Sequence, residues 1–263
     1  LIREHAETKF FGWVHFLSPH TPYQYREMSN HLAPAQAEGR YAKTTGGHFD
    51  VQSDEELRRV RDLYDGEVFY ADDLFARLQQ VLAEEGLTEN TIVILTADHG
   101  EEFMEHGQLQ HNSMFEEVIR IPMILHHPDL TSGVRSHLPY VNIDLLPTVA
   151  ALAGIHQPAA VDGVNLLEDV AHDRVRVVTG MTNKERQEIL IEQAGRKLVQ
   201  LCLPEFQESL YDLNSDPAEQ TNLILDRPAL ADELFKRLQE IVPGEPCQVI
   251  ADSSRGKSPQ QML

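Results

Sequence analysis

The sequence predicts an α/β protein in which helices cover a sheet and a smaller antiparallel part follows. The first observation is the continuous apolar run "TIVILTA" (91–97), which is typical of a strand covered on both faces of a parallel sheet. The second is a long helical pattern directly before it, which would complete a crossover unit. The third is a change after about Asp169, where short strands alternate with turn residues. These patterns predict a helix-covered sheet in residues 1–168 and an antiparallel subdomain in residues 169–242.

The elements of the larger part follow in order along the chain. Aromatic and β-branched residues in "FFGWVHFL" (10–17) predict a strand that ends at the prolines of "SPHTPY". Ser53 is predicted to cap helical structure whose apolar residues recur at helical spacing as far as Gly86. A further strand is predicted in "IPMILHH" (121–127) and a helix in "VNIDLLPTVAALAGI" (141–155).

The smaller part is predicted from short apolar segments. Strands are expected in "RVRVVTG", "EILIEQAG" and "KLVQLCL", followed by a helix from about Pro228 to Val242. Residues 243–263 are expected to form a flexible tail. The two cysteines are too few for a disulfide framework, and a buried free thiol is the expected state of Cys202, with Cys247 unassigned.

The composition is that of a globular chain with a large excess of acidic over basic side chains. It has 263 residues, of which 41% are hydrophobic and 24% charged, enough for one large core. Its 22 basic and 42 acidic side chains give a formal net charge of -20, which opposes binding to nucleic acid or to an anionic membrane surface. No apolar stretch approaches the roughly 20 residues that span a bilayer. An anionic substrate therefore needs a local positive site.

Ionisable side chains are concentrated in "TADHGEEFMEHGQLQH" (96–111), directly after the apolar run "TIVIL". Asp98 and His99 would lie at the carboxyl end of that strand, where open α/β sheets bind ligands. A carboxylate oxygen and an imidazole nitrogen side by side can share one divalent cation. The alternative is that Asp98 only caps a helix beginning at Gly100.

The charged neighbours of this pair have structural interpretations. Glu101 and Glu102 would occupy the first turn of that helix, where the helix dipole favours acidic residues. Glu116 and Arg120 fit a structural ion pair near the site better than a catalytic role.

The same segment, followed by "NSMFEEVIRIPMIL", resembles the metal-and-substrate segment of sulfatases in the alkaline phosphatase superfamily. The likeness continues in order through "VNIDLLPTVAALAGI", "VDGVNLL" and "SLYDLNSDPAEQTNL", and upstream in "HFLSPHTPY", so that it covers most of residues 10–240. The resemblance implies an alkaline-phosphatase-like α/β/α sandwich with a small C-terminal antiparallel sheet and helix. It also implies metal-dependent hydrolysis of sulfate esters.

The resemblance assigns roles to four residues. Asp98 and His99 fall on a pair of metal ligands, with Ca²⁺ as the expected ion and Mg²⁺ or Mn²⁺ as alternatives. His111 and His20 fall on histidines that bind the sulfate and take part in catalysis. A cation and protonated imidazoles would stabilise the negative charge that develops when a sulfate ester is cleaved. The expected substrate is a sulfated small molecule or carbohydrate.

Two features of the family are not found in the sequence. Sulfatases carry their nucleophile in an N-terminal motif, C-x-P-S-R or S-x-P-S-R, whose first residue becomes formylglycine, and an early aspartate pair completes their metal site. Neither occurs in residues 1–263, and the start, "LIREHAETKFF", has no signal-peptide pattern. The resemblance therefore implies the C-terminal portion of a longer sulfatase, inactive alone, with formylglycine on a preceding part. It further implies a periplasmic or extracellular enzyme.

Two other functions stay open at this point. One is a phosphonate or phosphate-ester hydrolase, or a phosphoglycerol transferase, of the same superfamily, because the same metal pair and His111 would serve phosphoryl transfer. The other is a non-catalytic, sulfatase-like binding protein.

Overall fold

The structure, a computed structural model, describes residues 2–32, 51, 53–130, 133–156, 161–168, 170–182, 186–242 and 244–247. The chain divides into two compact units, each with its own hydrophobic core. Unit 1 consists of Leu1–Val93, Phe103–Leu109 and Leu125–Leu130, and unit 2 consists of Ile94–Glu102, Gln110–Ile124 and Thr131–Leu263.

The regular elements are helices, 3-10 turns and three small sheets. The helices are α1 (Ile2–His5), α2 (Asp54–Glu84), α3 (Glu116–Ile119), α4 (Leu145–Leu152) and α5 (Pro228–Ile241), with 3-10 turns at Glu27–Ser29, Thr88–Asn90 and Asn142–Asp144. The strands are β1 (Val93–Thr96), β2 (Glu102–Phe103), β3 (Leu109–Gln110), β4 (Met123–His126), β5 (Arg176–Thr182), β6 (Arg186–Gln193), β7 (Arg196–Leu203) and β8 (Gln207–Asp212). β1 pairs with β4, β2 with β3, and β5 to β8 form one sheet in sequence order. Within the described ranges, every helix is too short or too polar to cross a bilayer.

The long helix α2 begins and ends at the predicted residues. The Ser53 side chain accepts a hydrogen bond from the backbone N–H of Glu56 at 3.2 Å, which confirms the predicted N-cap. The chain leaves the helix at Gly86, whose φ of 67° lies in the left-handed region. The buried face of α2 packs into the core of unit 1, which is formed by Tyr23, Val60, Leu63 and Phe103.

The strand predicted for residues 10–17 does not form. These residues belong to none of the helices or sheets of the described residues, and Phe11 and Trp13 are 82% and 76% exposed. The prediction was wrong because aromatic and β-branched residues favour a strand only when a neighbouring strand and a packing surface are present.

The two strands predicted on either side of the candidate ligands do form. β1 and β4 lie within "TIVILTA" and "IPMILHH". Every residue of β1 is half-buried rather than covered on both faces. The helix predicted for 141–155 begins as a 3-10 turn, continues as α4, and stops before Gly154, whose φ is 63°.

The three predicted C-terminal strands form, and with a fourth, β8, that was not predicted, they make an antiparallel meander closed by α5. Leu198 on β7 lies opposite Ile191 on one side and Leu210 on the other. The core between this sheet and α5 is lined by side chains of β6, β7, β8 and α5: Ile189, Ile191, Leu198, Leu210, Ala231, Leu234 and Leu238. Ile189 and Ile191, two residues apart on β6, face this core, and the core residues of α5 recur at helical spacing.

Cys202 and Cys247 form a disulfide, with their Cα atoms 5.3 Å apart. The predicted free thiol at Cys202 was therefore wrong, since nothing in two cysteines separated by 45 residues indicates their proximity. The bond fixes the chain after α5 to β7 as far as Cys247, and the neighbouring Pro246 is buried. The rest of the predicted tail, 248–263, lies outside the described residues.

Candidate active site

The loop with the predicted metal ligands starts where β1 ends, and hydrogen bonds fix its base. Thr96 Oγ1 donates to the carbonyl oxygen of Pro122 at 2.9 Å. Asn142 Nδ2 donates to the carbonyl oxygen of Ala97 at 3.2 Å. Because these bonds hold the end of the strand, the next residue, Asp98, leaves it at a defined point.

Gly100 allows this loop to approach α3 closely. Its N–H donates to the carbonyl oxygen of Val118 at 2.6 Å, and a Cβ at this position would overlap the carbonyl oxygen of Glu117. No helix begins here, so the interpretation of Asp98 as a helix cap was wrong. The backbone instead uses its N–H for the contact with α3 and then enters the short strand β2.

Asp98 and His99 present an oxygen and a nitrogen on the same side of the loop. Oδ1 of Asp98 accepts from the N–H of His99 at 3.0 Å, and its side chain is 78% exposed. Nδ1 of His99 lies 2.9 Å from the carbonyl oxygen of Gly100, and Nε2 lies 3.7 Å from Oδ2 of Asp98. A proton on Nδ1, donated to that carbonyl, leaves Nε2 as the ligand atom, which is how metal-binding histidines are commonly oriented.

These two donors fit one divalent cation but do not make a complete site. A carboxylate oxygen and a neutral imidazole nitrogen are suitable ligands for hard or borderline cations. Among the residues that the structure describes, no group of three or more His, Cys, Asp or Glu side chains could hold a metal ion. Further ligands have to come from water, substrate or other residues.

His111 lies beside this pair and is held by a carboxylate. Its ring stacks on the ring of His99 with centroids 4.1 Å apart, and its Nδ1 is 3.2 Å from Oε1 of Glu101. The hydrogen bond to Glu101 raises the pKa of His111 above its usual value, burial opposes this, and the charges of Glu101, Asp98 and Glu102 add to it. The surroundings therefore favour the imidazolium form.

Glu101 and Glu102 have contacts that the sequence did not indicate. The side chain of Glu101 is 5% exposed and contacts His111, ten residues along the chain. Glu102 is buried and accepts from Ser113 Oγ at 3.0 Å. Both were predicted in a first helical turn, which was wrong because the chain turns back through β2 and β3. Only the presence of acidic residues near several histidines could have suggested the Glu101 contact.

His20, the fourth predicted residue, belongs to unit 1. It is exposed, and its Nδ1 is 2.6 Å from the carbonyl oxygen of Thr21. The loop around it is organised by the buried carboxylate of Glu67, which accepts from Ser18 Oγ at 2.7 Å and from the N–H of Gln24 at 2.8 Å. The structure thus brings Asp98, His99 and His111 together in unit 2 and places His20 on a well-anchored loop of unit 1.

The family of the chain follows from comparison with known proteins. A family model described as "Sulfatase" matches residues 1–155. The chain belongs to the sulfatase family. A second model, "N-sulphoglucosamine sulphohydrolase, C-terminal", matches residues 104–243 of the chain, including the antiparallel sheet and α5.

Curated and solved relatives agree with this assignment. The chain is 26% identical to Arylsulfatase K of Danio rerio over 222 residues, which are 80% of this chain and 42% of the relative. A solved structure described as a complex with "its substrate D-Glucosamine-2-N, 6-O-disulfate" has a TM-score of 0.66 at 23% identity, over 73% of this chain and 43% of that one. A phosphonate monoester hydrolase of Agrobacterium radiobacter has a TM-score of 0.61 at 21% identity, over 72% and 42%.

These likenesses confirm the alkaline-phosphatase-like α/β fold class predicted from the sequence. The chain spans less than half the length of each of these three proteins. The residues that the two family models match include the loop after β1 and the C-terminal sheet.

Proposed function

We propose that the complete protein containing this chain hydrolyses sulfate esters, and that Asp98, His99 and His111 form part of its active site. The observation that carries this proposal is that His99 and His111 stack on each other beside the exposed carboxylate of Asp98, and that their rings have different hydrogen-bond partners. His99 is oriented by a carbonyl oxygen, whereas His111 is oriented by Glu101. One imidazole is thereby suited to bind a cation and the other to donate a proton.

Asp98 and His99 would hold a divalent cation, which we propose to be Ca²⁺, with Mg²⁺ and Mn²⁺ as the alternatives to test. The exposed carboxylate of Asp98 supplies a hard oxygen and Nε2 of His99 a neutral nitrogen. When bound, the cation would supply positive charge for the sulfate oxygens. That charge, with the protonated His111, is the local positive site that a chain of net charge -20 needs for an anionic substrate.

His111 would act on the leaving group. In this role Nδ1 would keep its contact with Glu101, and Nε2 would donate to the bridging oxygen of the ester. The sulfuryl group passes to a nucleophile outside the residues assigned here as the bond between sulfur and the bridging oxygen breaks, and this oxygen takes the proton from Nε2 and leaves as an alcohol. The formylglycine motifs do not occur in residues 1–263, so the residues assigned here bind and polarise the ester rather than attack it. We also propose a sulfate-binding role for His20, which rests on the resemblance of "HFLSPHTPY" alone.

The proposed substrate is a sulfated small molecule or carbohydrate. Binding to nucleic acid is not proposed. A solved relative described with glucosamine disulfate as its substrate supports a sulfated sugar. A periplasmic or extracellular location is also proposed. The disulfide between Cys202 and Cys247 supports it, because such bonds persist mainly in oxidising compartments.

The test is sulfate release by the complete, metal-loaded protein from nitrophenyl sulfate and from sulfated glucosamine. Asp98→Asn should abolish both the activity and the metal content, whereas Asp129→Asn, at an exposed position, should change neither. The likeness to a phosphonate monoester hydrolase makes phosphonate monoesters the necessary comparison. Faster cleavage of a phosphonate than of any sulfate would replace the proposal by that activity. Metal binding with no hydrolysis of either ester would favour a binding protein.

A further inference from the structure

Residues 113–119, here called the α3 segment, connect His111 with the C-terminal sheet. The segment begins two residues after His111 and contains α3. Through the hydrogen bond from the N–H of Gly100 to the carbonyl oxygen of Val118, it also contacts the loop of Asp98 and His99. A shift of this segment would therefore move both parts of the candidate active site.

A buried ion cluster holds the segment at its centre. Lys197 on β7 is 0% exposed, and its Nζ lies 2.7 Å from Oε1 of Glu219 and 3.1 Å from Oε1 of Glu116. Glu219, also buried, accepts from the N–H of Glu116 through Oε2 at 2.7 Å. The ion pair predicted for Glu116 with Arg120 was thus wrong, because the carboxylate of Glu116 turns to Lys197 instead.

Two apolar contacts hold the neighbouring residues. The side chain of Met114 fills the space that a Cβ of Gly180 on β5 would occupy. The ring of Phe115 meets that of Tyr211 on β8 edge to face, with centroids 6.0 Å apart. Three successive residues of the α3 segment are therefore fixed to three strands of the sheet.

A fully buried lysine is an inefficient way to gain stability. Its desolvation offsets much of the attraction to the carboxylates, and well-packed apolar residues often stabilise as well or better. What the ammonium group adds is direction, since its donors fix the positions of two carboxylates at once. In this cluster, one of those carboxylates in turn fixes the first peptide N–H of α3.

We propose that Lys197 is a positioning residue of the candidate active site. Together with Glu219 it fixes the α3 segment, and through Val118 and Gly100 it fixes the loop of Asp98 and His99. The C-terminal sheet thus sets the geometry of the metal-binding pair and of His111 without contacting substrate. The effect on turnover rests on the proposed function, whereas the effect on the loop does not.

The test uses Lys197→Met in the complete protein, which keeps the long apolar stem and removes the ammonium group. The kcat for nitrophenyl sulfate should fall on the order of 10- to 100-fold, the scale of a small displacement of catalytic groups, with KM little changed. Amide hydrogen exchange in peptides covering 98–119 should become faster. Arg196→Met is the matched control, because it removes an ion pair with Asp212 at the residue next to Lys197 on β7, whose side chain points to the opposite face of the sheet. It should leave kcat and the exchange of 98–119 unchanged.

A second variant guards against loss of folding in the first. Lys197→Met combined with Glu219→Gln removes the charge of the lysine and that of Glu219. The amide oxygen of the new glutamine can still accept from the N–H of Glu116. The double variant should be more stable than Lys197→Met and recover part of its lost turnover and exchange protection. Unchanged kcat and unchanged exchange in a folded Lys197 variant would overturn the proposal, as would an equal loss in Arg196→Met. Faster exchange in a protein that hydrolyses no sulfate ester would support positioning by Lys197 and refute the proposed function.

Discussion

The imidazole ring of His111 stacks on that of His99 with centroids 4.1 Å apart and an angle of 28° between the planes. Nδ1 of His99 faces the carbonyl oxygen of Gly100, whereas Nδ1 of His111 faces the carboxylate of Glu101. A carbonyl partner orients a neutral imidazole for metal binding, and a carboxylate partner favours the imidazolium. Stacked rings with such different partners can serve a cation and a leaving group side by side.

In Glu101→Gln, the loss of activity at alkaline pH should begin at a lower pH than in the wild type. The hydrogen bond to Glu101 is the main cause of the raised pKa of His111, and glutamine keeps the side-chain size while removing the charge. Activity that needs protonated His111 is present below this pKa and is lost as the pH rises through it. The alkaline limb of the profile of kcat/KM against pH should therefore move to lower pH in the variant. Glu105→Gln, which removes an ion pair with Arg61 in unit 1, should leave the profile in place.

His111→Ala should lower kcat by roughly 100-fold or more, the scale of losing a general acid or a donor to the transition state. The loss should be smaller for nitrophenyl sulfate than for an alkyl sulfate, because a good leaving group needs less protonation. Steady-state kinetics on the two esters measure the difference. His137→Ala, at an exposed position, serves as the control. Equal losses on both esters would assign His111 to binding alone.

The positions of Asp98 and His99 could be predicted because they follow from local rules. An apolar strand must be buried, and polar residues directly after it must lie at its carboxyl end. The contact of His111 with Glu101 could not be predicted, because it depends on how β2 and β3 turn the chain between them. No periodicity relates residues ten positions apart across such a turn.

Lys197 and residues 10–17 show two further limits. The apolar neighbours of Lys197 predict a strand correctly, but its buried partners come from residues far away in the sequence, Glu116 and Glu219. The residue types of 10–17 favour a strand, yet no strand forms there. A strand also needs a neighbouring strand to pair with, and residue preference alone does not show whether one is present. Element type was therefore predictable where burial is local, and contacts between elements were not.

Replacing both cysteines by Cys202→Ser and Cys247→Ser should lower the free energy of unfolding by about 2–4 kcal/mol, the usual contribution of a disulfide. The bond closes a loop across a sequence separation of 45 residues that includes β8 and α5, so the unfolded chain gains freedom when it is absent. Thermal unfolding with and without a reductant measures this. The reductant should lower the melting temperature of the wild type and leave that of the double variant unchanged. A wild type insensitive to reductant, with both thiols reactive, would refute the disulfide.

Gly100→Ala should displace the loop that carries the proposed metal ligands. The added methyl group would overlap the carbonyl oxygen of Glu117, which is backbone and cannot rotate away, while the N–H of Gly100 is already bonded to Val118. Forcing a group into such a contact costs on the order of 1–3 kcal/mol. Since the loop is the easier part to move, Asp98 and His99 should separate and the metal content of the complete protein should fall, as measured by elemental analysis. Gly12→Ala is the matched control, because a Cβ there meets no heavy atom within 4 Å, and it should keep both stability and metal. A Gly100→Ala protein with wild-type metal content would show that the close approach of this loop to α3 is not needed for the proposed site.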